Sequence, residues 1–391
     1  MTGSARPGPV VEGAGTAYRN IFDTVISDCL VQALRIIAAD PALAIPGTVI
    51  LHHQKKAAAV RSRHEREGLL VPPVMIVSIT SRCNLTCAGC YMQHRGHAQH
   101  REMDAELPAS LARQAAELGV SIMVIAGGEP LVRLDEILRI ARAHPEILFP
   151  VFTNGLLIDD AVATKIAACR NIVPVISFEG FREETDSRRG SGVYDRLLAV
   201  TARLKSRNIF FGCSVTTTRE NFSQVVDPAF IREMTGAGSR VFTYVEYVPM
   251  EAGTEDLVLT TEQKKILQIV LADFNRKFPA LFIGFPGDEE QYGGCLAAGR
   301  GFVHVSPSGD LEPCPAAPYS DANLAKVPLA QALRSRLLAR LREEPAILAE
   351  TEGGCALRRR FSSGKSSPPP GSDEPVGDAN RAFVQEILGH D

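Results

Sequence analysis

Val74-Met75-Ile76-Val77-Ser78-Ile79-Thr80 runs directly into Ser81-Arg82-Cys83-Asn84-Leu85-Thr86-Cys87-Ala88-Gly89-Cys90-Tyr91. The apolar run from Val74 to Ser78 has strand length and no polar alternation, which suits a strand covered on both faces in a parallel sheet. The loop behind it spaces three thiols as C-x-x-x-C-x-x-C. Thiolates are soft ligands, suited to zinc or to an iron–sulfur cluster. Three of them serve three irons of a cubane cluster and leave the fourth iron without a protein ligand. A structural zinc wants a fourth ligand, and His94, His97 and His100 are the nearest imidazoles. The spacing by itself leaves both chemistries open.

Downstream the same grammar repeats. A helix is expected from about Ala105 to Leu118, then a strand at Ser121–Ala126, the turn Gly127-Gly128-Glu129-Pro130 and a helix at Leu134–Ala143. Strands at Leu148–Thr153, Val173–Phe178, Phe210–Thr217 and Val241–Tyr247 alternate with helices near Asp160–Cys169, Tyr194–Ser206 and Pro228–Thr235. Apolar strands alternating with amphipathic helices argue for a parallel α/β sheet covered by helices. Six units are too few for a closed eight-fold barrel and fit a partial (β/α)6 barrel. In such barrels the loops at the carboxyl ends of the strands build the site. The cysteine loop, Gly127–Pro130, Asn154-Gly155, Glu179-Gly180 and Val248-Pro249 all fall on that one rim.

These motifs together resemble the radical S-adenosylmethionine (radical SAM) enzymes over about residues 73–250. The resemblance implies that Cys83, Cys87 and Cys90 hold a 4Fe-4S cluster whose open iron binds SAM. Gly127, Gly128, Glu129 and Pro130 match the family's Gly-Gly-Glu-Pro turn, with Glu129 opposite the methionyl ammonium and the glycines letting the main chain come close to the ligand. Ser177-Phe178-Glu179-Gly180 resembles a Ser-x-Asp-Gly turn, with Glu179 where Asp is usual and Ser177 as a ribose contact. Asp186-Ser187-Arg188-Arg189-Gly190 resembles an Asp-x-x-Arg-Gly element, which points to Arg189 for the SAM carboxylate; a solvated loop is the other reading of Arg188 and Arg189. Thr153, Asn154, Ser214 and Thr216 are expected to line the nucleoside site, and Val248 to meet adenine. The aromatic residue that often precedes the third cysteine is replaced by Gly89, and Tyr91 is expected to fill that space. The implied chemistry is one-electron cleavage of SAM, giving a 5′-deoxyadenosyl radical that removes hydrogen from a substrate.

Beyond Pro249 the composition changes. Thr261–Phe278 reads as a linking helix, and Phe302–Val305, Pro307–Asp310 and Leu311–Pro315 read as strand, turn and strand with Cys295 and Cys314 at the outer ends. A helix is expected at Leu329–Glu343, and Cys355 stands behind it. The segment resembles the SPASM and twitch extensions, through Cys295, Gly309 and Cys314. Only three of the seven SPASM cysteines are present, and Arg358 stands where the last would be. The resemblance implies a second, auxiliary 4Fe-4S cluster on Cys295, Cys314 and Cys355, with zinc or inert thiols as the competing reading. Cys29, Cys169 and Cys213 are expected to pack in the core.

The 391 residues thus divide into an N-terminal helical segment (1–72), the core (73–250), an auxiliary-cluster domain (251–360) and a tail (361–391) rich in Ser, Pro and Gly near its start, where disorder is expected. Tyr18–Ala39 and Gln54–Glu67 read as helices, the second basic through Lys55, Lys56, Arg61, Arg63 and Arg66. That face suits solvent or, as a peripheral contact, an anionic lipid. A short docking helix is expected at Asn380–Leu388. Net charge of −3 gives no nucleic-acid signature. No apolar run reaches a membrane span, no secretory signal opens the chain, and nine cysteines without a disulfide framework suit a cytoplasmic protein. The expected partners are an organic substrate and a reduced ferredoxin- or flavodoxin-type electron donor. With no strand triplet before Pro73 to groove a leader peptide, a small molecule, cofactor precursor or lipid is favoured over a peptide. An electron-transfer protein holding clusters without SAM, and a zinc-stabilised nucleic-acid module, are the readings from other classes.

Overall fold

A computed structural model describes residues 32, 35–39, 44–94, 102–285, 294–344, 348, 355 and 357. The apolar run ahead of the first cysteine is strand β1 (Val74–Thr80), and the six expected units follow in order. They are β1 and helix α2 (Leu107–Leu118), β2 (Ile122–Gly127) and α3 (Leu134–Ala143), β3 (Phe149–Thr153) and α4 (Asp160–Ala167), and β4 (Ile172–Phe178) with α5 (Arg182–Arg189) and α6 (Val193–Lys205). Then come β5 (Gly212–Thr217) with α7 (Pro228–Ala237), and β6 (Val241–Glu246) with α8 (Thr261–Lys277). Helix α1 (Ala44–Arg66) precedes them and starts ten residues before the expected Gln54. Its Arg61 donates to the carbonyl of Gly119 at 2.6 Å, fastening it behind α2.

The sheet continues past the six units at both edges. Its order is β7-β6-β5-β4-β3-β2-β1-β8-β9, with β7 at Leu281–Phe285, β8 at Phe302–Val305 and β9 at Leu311–Glu312. All neighbours are parallel except β8 and β9. Strand β7 was not expected; its Phe282 stacks on Phe242 of β6 with ring centroids 4.8 Å apart, and that burial carries the edge. The expected helix at Leu329–Glu343 is two pieces, Leu329–Ala332 and α9 (Arg336–Glu343), because Ser335 accepts from Leu338 and opens a new helix. Residues 1–31 including Cys29, the tail from 358 and the Asn380–Leu388 segment lie outside the described residues.

Alternation along the strands sorts the two faces. Met75, Val77 and Ile79 of β1, Met123 and Ile125 of β2, and Phe149 and Val151 of β3 are at most 1% exposed and share one apolar core with Leu111, Ala115, Ile137 and Leu138 of the helices. Cys169 and Cys213 lie in the same core, and burial drives the Cys213 thiol far up, so it stays protonated and inert. The opposite, concave face carries Val74, Ile76, Ile122 and Val124 low down and Ser78, Thr80, Ser177, Ser214 and Thr243 nearer the carboxyl rim.

One seam interrupts the ladder. Strands β2 and β3 share a single register pair, Ile125 with Val151, and an isolated bridge from Ile122 to Leu148. Leu148 donates toward β2 (Ser121) and Phe149 toward β4 (Asn171), so the next residue, Pro150, faces β2 with no N–H to give.

Candidate active site

The cysteine loop is built by its neighbours more than by itself. Glu102 Oε1 accepts from the Ser81 N–H (2.8 Å), the Ser81 hydroxyl (2.7 Å) and the Thr80 hydroxyl (3.1 Å), holding the exit from β1. Buried Arg133 donates to the Ile79 carbonyl at 2.7 Å. Gly128 N–H donates to Thr80 and Glu129 N–H to Arg82, each at 2.8 Å. A Cβ on Gly127 would lie 2.3 Å from the Thr80 oxygen, and one on Gly128 would lie 2.2 Å from the Arg82 oxygen. The two glycines therefore bring the Gly-Gly-Glu-Pro turn against the cysteine loop's own backbone, where close approach to a ligand was the expected reason.

Cys83 is exposed, and Cys87 and Cys90 are half-buried. Burial pushes the Cys83 and Cys87 thiols up. Each is raised further by charge on Cys90, so the three sulfurs share one neighbourhood. Among the described residues no three Cys, His, Asp or Glu side chains already converge as a metal-ligand set. Donors surround the thiols: Asn154 Nδ2 lies 3.8 Å from the Cys83 sulfur and Arg189 Nη1 lies 4.0 Å from the Cys87 sulfur. Such N–H groups stabilise thiolates bound to metal.

Glu129 is fully buried. Its carboxylate accepts from Leu131 N–H (2.9 Å), the Thr153 hydroxyl (2.7 Å) and Asn154 N–H (2.8 Å). Burial holds its carboxyl above the ordinary range, against the pull of these three bonds and of Arg189. A carboxylate has about four acceptor positions, so one remains for a further donor. The Thr153 and Asn154 bonds span the β2–β3 seam and replace what Pro150 cannot give. Asn154 also donates to Asn84 Oδ1 at 2.7 Å, a loop residue that the sequence reading passed over.

Glu179, whose role was open, is 1% exposed and pairs with Arg188 at 2.9 Å and Arg189 at 2.5 Å. It also accepts from the Thr216 N–H at 3.1 Å. The arginines do not sit in a solvated loop. They end helix α5, and Arg188 and Ala88 exchange two hydrogen bonds, one from each. Acids in the first turn of α5 and arginines in the last were the available signal, since they match the helix dipole. Arg189 Nε is buried with no hydrogen-bond partner among the described residues, a donor suited to an anion.

Ser177 and Ser214 stand side by side in register on the concave face, with Thr243 next to Ser214. Val248 is half-buried at the end of β6. The space beside Gly89 is filled by Tyr247, not Tyr91: a Cβ there would lie 2.9 Å from the Tyr247 hydroxyl, which donates to Thr254. Tyr91 opens the turn Tyr91–His94 behind the third cysteine. At the second thiol set, Cys314 is buried while Cys295 and Cys355 are half-buried, and all three border the same apolar core. Cys295 N–H donates to the Leu348 carbonyl at 2.9 Å, and Ala298 N–H to Pro313 at 3.1 Å, which brings the three segments into one region.

Residues 77–227 match the Radical SAM superfamily. That stretch is a radical SAM domain. That family uses a 4Fe-4S cluster and SAM, and the thiol loop, its flanking donors and the orphaned Arg189 N–H fit those groups. The chain is 31% identical over 264 residues to the mycofactocin maturase MftC of Mycolicibacterium smegmatis, covering 63% of this chain and 65% of that protein, just under two thirds of its length. It is 24% identical to the AdoMet-dependent heme synthase of Methanosarcina barkeri, over 73% of this chain and 88% of that one. SuiB of Streptococcus suis, solved with SAM and with its precursor peptide SuiA, shares the fold at TM-score 0.61 and 18% identity in both structures. Those matches cover 81% of this chain and 77% and 78% of the SuiB chains. No helix among the described residues is long and apolar enough to cross a membrane.

Proposed function

We propose that this radical SAM protein cleaves SAM reductively and removes hydrogen from an organic substrate on the concave face of the sheet. The observation that carries this reading is the meeting, on one rim, of the Cys83–Cys87–Cys90 loop, the Glu129 carboxylate and the Glu179–Arg188–Arg189 group. When bound, the cluster and SAM supply one-electron carbon–sulfur cleavage and a 5′-deoxyadenosyl radical. The chain's own residues bind and orient. Glu129 offers its remaining acceptor position to the methionyl ammonium, and the unpartnered Arg189 Nε–H faces the carboxylate. Ser177, Ser214, Thr216, Thr153 and Asn154 supply polar contacts to the nucleoside, and Val248 with Tyr247 an apolar wall. Glu179 keeps both arginines placed and charged. Cys295, Cys314 and Cys355 hold one auxiliary cluster.

A small molecule remains the favoured substrate, supported by the relative named a heme synthase, of which this chain covers 88%. A peptide is the second reading, supported by SuiB, solved with a precursor peptide on the same fold. The electron donor on this reading is a reduced ferredoxin or flavodoxin. Anaerobic incubation of the reconstituted protein with reductant and SAM should release 5′-deoxyadenosine. Added cell extract should then show a SAM-dependent mass change in a metabolite or lipid. Absence of 5′-deoxyadenosine overturns the activity, and a mass change confined to a peptide overturns the small-molecule reading.

A further inference from the structure

On the β1–β8–β9 side of the sheet, three buried polar side chains form a line across three neighbouring strands. His304, in the otherwise apolar β8, is 0% exposed. It stands in register with Ile76, so it lies on the concave face. Its Nε2 is 2.8 Å from the hydroxyl of Ser78 on β1, and its Nδ1 is 2.6 Å from Oε2 of Glu312 on β9. With Glu312 as a carboxylate, which only accepts, the proton of this bond sits on Nδ1 and Nδ1–H donates to Glu312. That bond fixes the ring and presents Nε2 to Ser78.

Strand β9 is two residues long and meets β8 through two register pairs, one of which is His304 with Glu312 itself. Two residues beyond Glu312 comes Cys314; five residues beyond Ser78 comes Cys83. The polar line therefore joins the strand that launches the first thiol loop to the strand that delivers a thiol of the second set. Burying an imidazole against a carboxylate costs desolvation that an apolar contact avoids. What it adds is direction and length: two short hydrogen bonds admit one register and one spacing.

We propose that Ser78, His304 and Glu312 are positioning residues that set the place of the Cys314 thiol relative to the Cys83 loop. This concerns where the thiol sits and is independent of what it ligates. A direct test is the alkylation rate of each cysteine by iodoacetamide in the full-length, metal-free chain, read by mass spectrometry under native conditions. In His304→Leu and in Glu312→Leu, Cys314 should react about tenfold faster, as when local opening loses a buried hydrogen bond. The core thiol Cys213 should keep its rate. Glu312→Gln, which retains an acceptor oxygen for Nδ1–H, should stay close to wild type, and Ser78→Ala gives a milder change that keeps the test open if the Leu variants fold poorly. An unchanged Cys314 rate in every variant overturns the proposal. So does a rise in Cys213 in step with Cys314, which would make the line a general support of the core. If the wild-type chain binds iron at the first thiol set alone, the auxiliary-cluster reading fails, while the alkylation result still decides the positioning role.

Discussion

The β2–β3 seam separates two parts of the sheet with different contents. On one side, β1, β2, β8 and β9 adjoin Cys83, Cys87, Cys90, Cys295 and Cys314. On the other, β3 to β7 and helix α5 carry Thr153, Asn154, Ser177, Glu179, Arg189, Ser214, Thr216 and Val248. One side offers soft ligands; the other offers hydroxyls, amides and guanidinium groups. Glu129 follows β2 and takes two of its hydrogen bonds from the end of β3, so the acid proposed for the SAM ammonium also fastens the two parts together. The division teaches that a thiol side and a polar side can be assembled on separate strands and joined by one buried carboxylate, and on the proposed reading these are the metal side and the nucleoside side.

The largest effect is expected on the thiol side. Replacing Cys83, Cys87 and Cys90 together by Ala should abolish SAM cleavage and lower iron from about eight to about four per chain, as two four-iron clusters require. Residual cleavage, or loss of all iron, would contradict the division of the thiols into two sets. On the polar side, Glu179→Leu leaves Arg188 and Arg189 without their buried carboxylate. Stability in a denaturant titration should fall by about 3–5 kcal/mol, the cost of orphaning a buried charge. A loss below about 1 kcal/mol would mean that the arginines find water instead. At the fastening point, Glu129→Gln should weaken SAM binding by about 1.5–3 kcal/mol with first-cluster iron retained, the range for a hydrogen bond to a charged group. Unchanged affinity would reduce Glu129 to its structural part. The smallest effect belongs to the seam: Pro150→Val supplies the missing N–H and should shift stability by no more than about 1 kcal/mol, one net hydrogen bond. Faster exchange of the neighbouring β2 amides in that variant would count against the seam as described.

How much was legible follows the same line. The cysteine loop and the Gly-Gly-Glu-Pro turn announce themselves because their residues are adjacent in the chain, and the six strand–helix units because their apolar periods are local. Glu179 with its two arginines was harder, since α5 has no apolar stripe and its sequence, REETDSRR, reads as solvated. Tyr247 was invisible for another reason. It meets Gly89 only after five intervening strands have been laid down, and nothing near either residue records the meeting. Ser78, His304 and Glu312 are ordinary polar residues in apolar strands until β8 comes to lie beside β1. Strand β7 went unread because its apolar run is short and follows a proline.

The meeting of Gly89 with Tyr247, and of Ala88 with Arg188, also bears on the order in which the protein is made. Both contacts reach from the cysteine loop to segments synthesised far later. During translation the three thiols emerge with the surfaces that shape their loop still unmade, for roughly ten to thirty seconds at common elongation rates. Throughout that interval the loop has its thiols without its geometry. If these thiols hold the proposed cluster, metal delivery belongs after the chain has been synthesised past Tyr247, and a ribosome stalled before that point would present the thiols to oxidants in an unshaped loop.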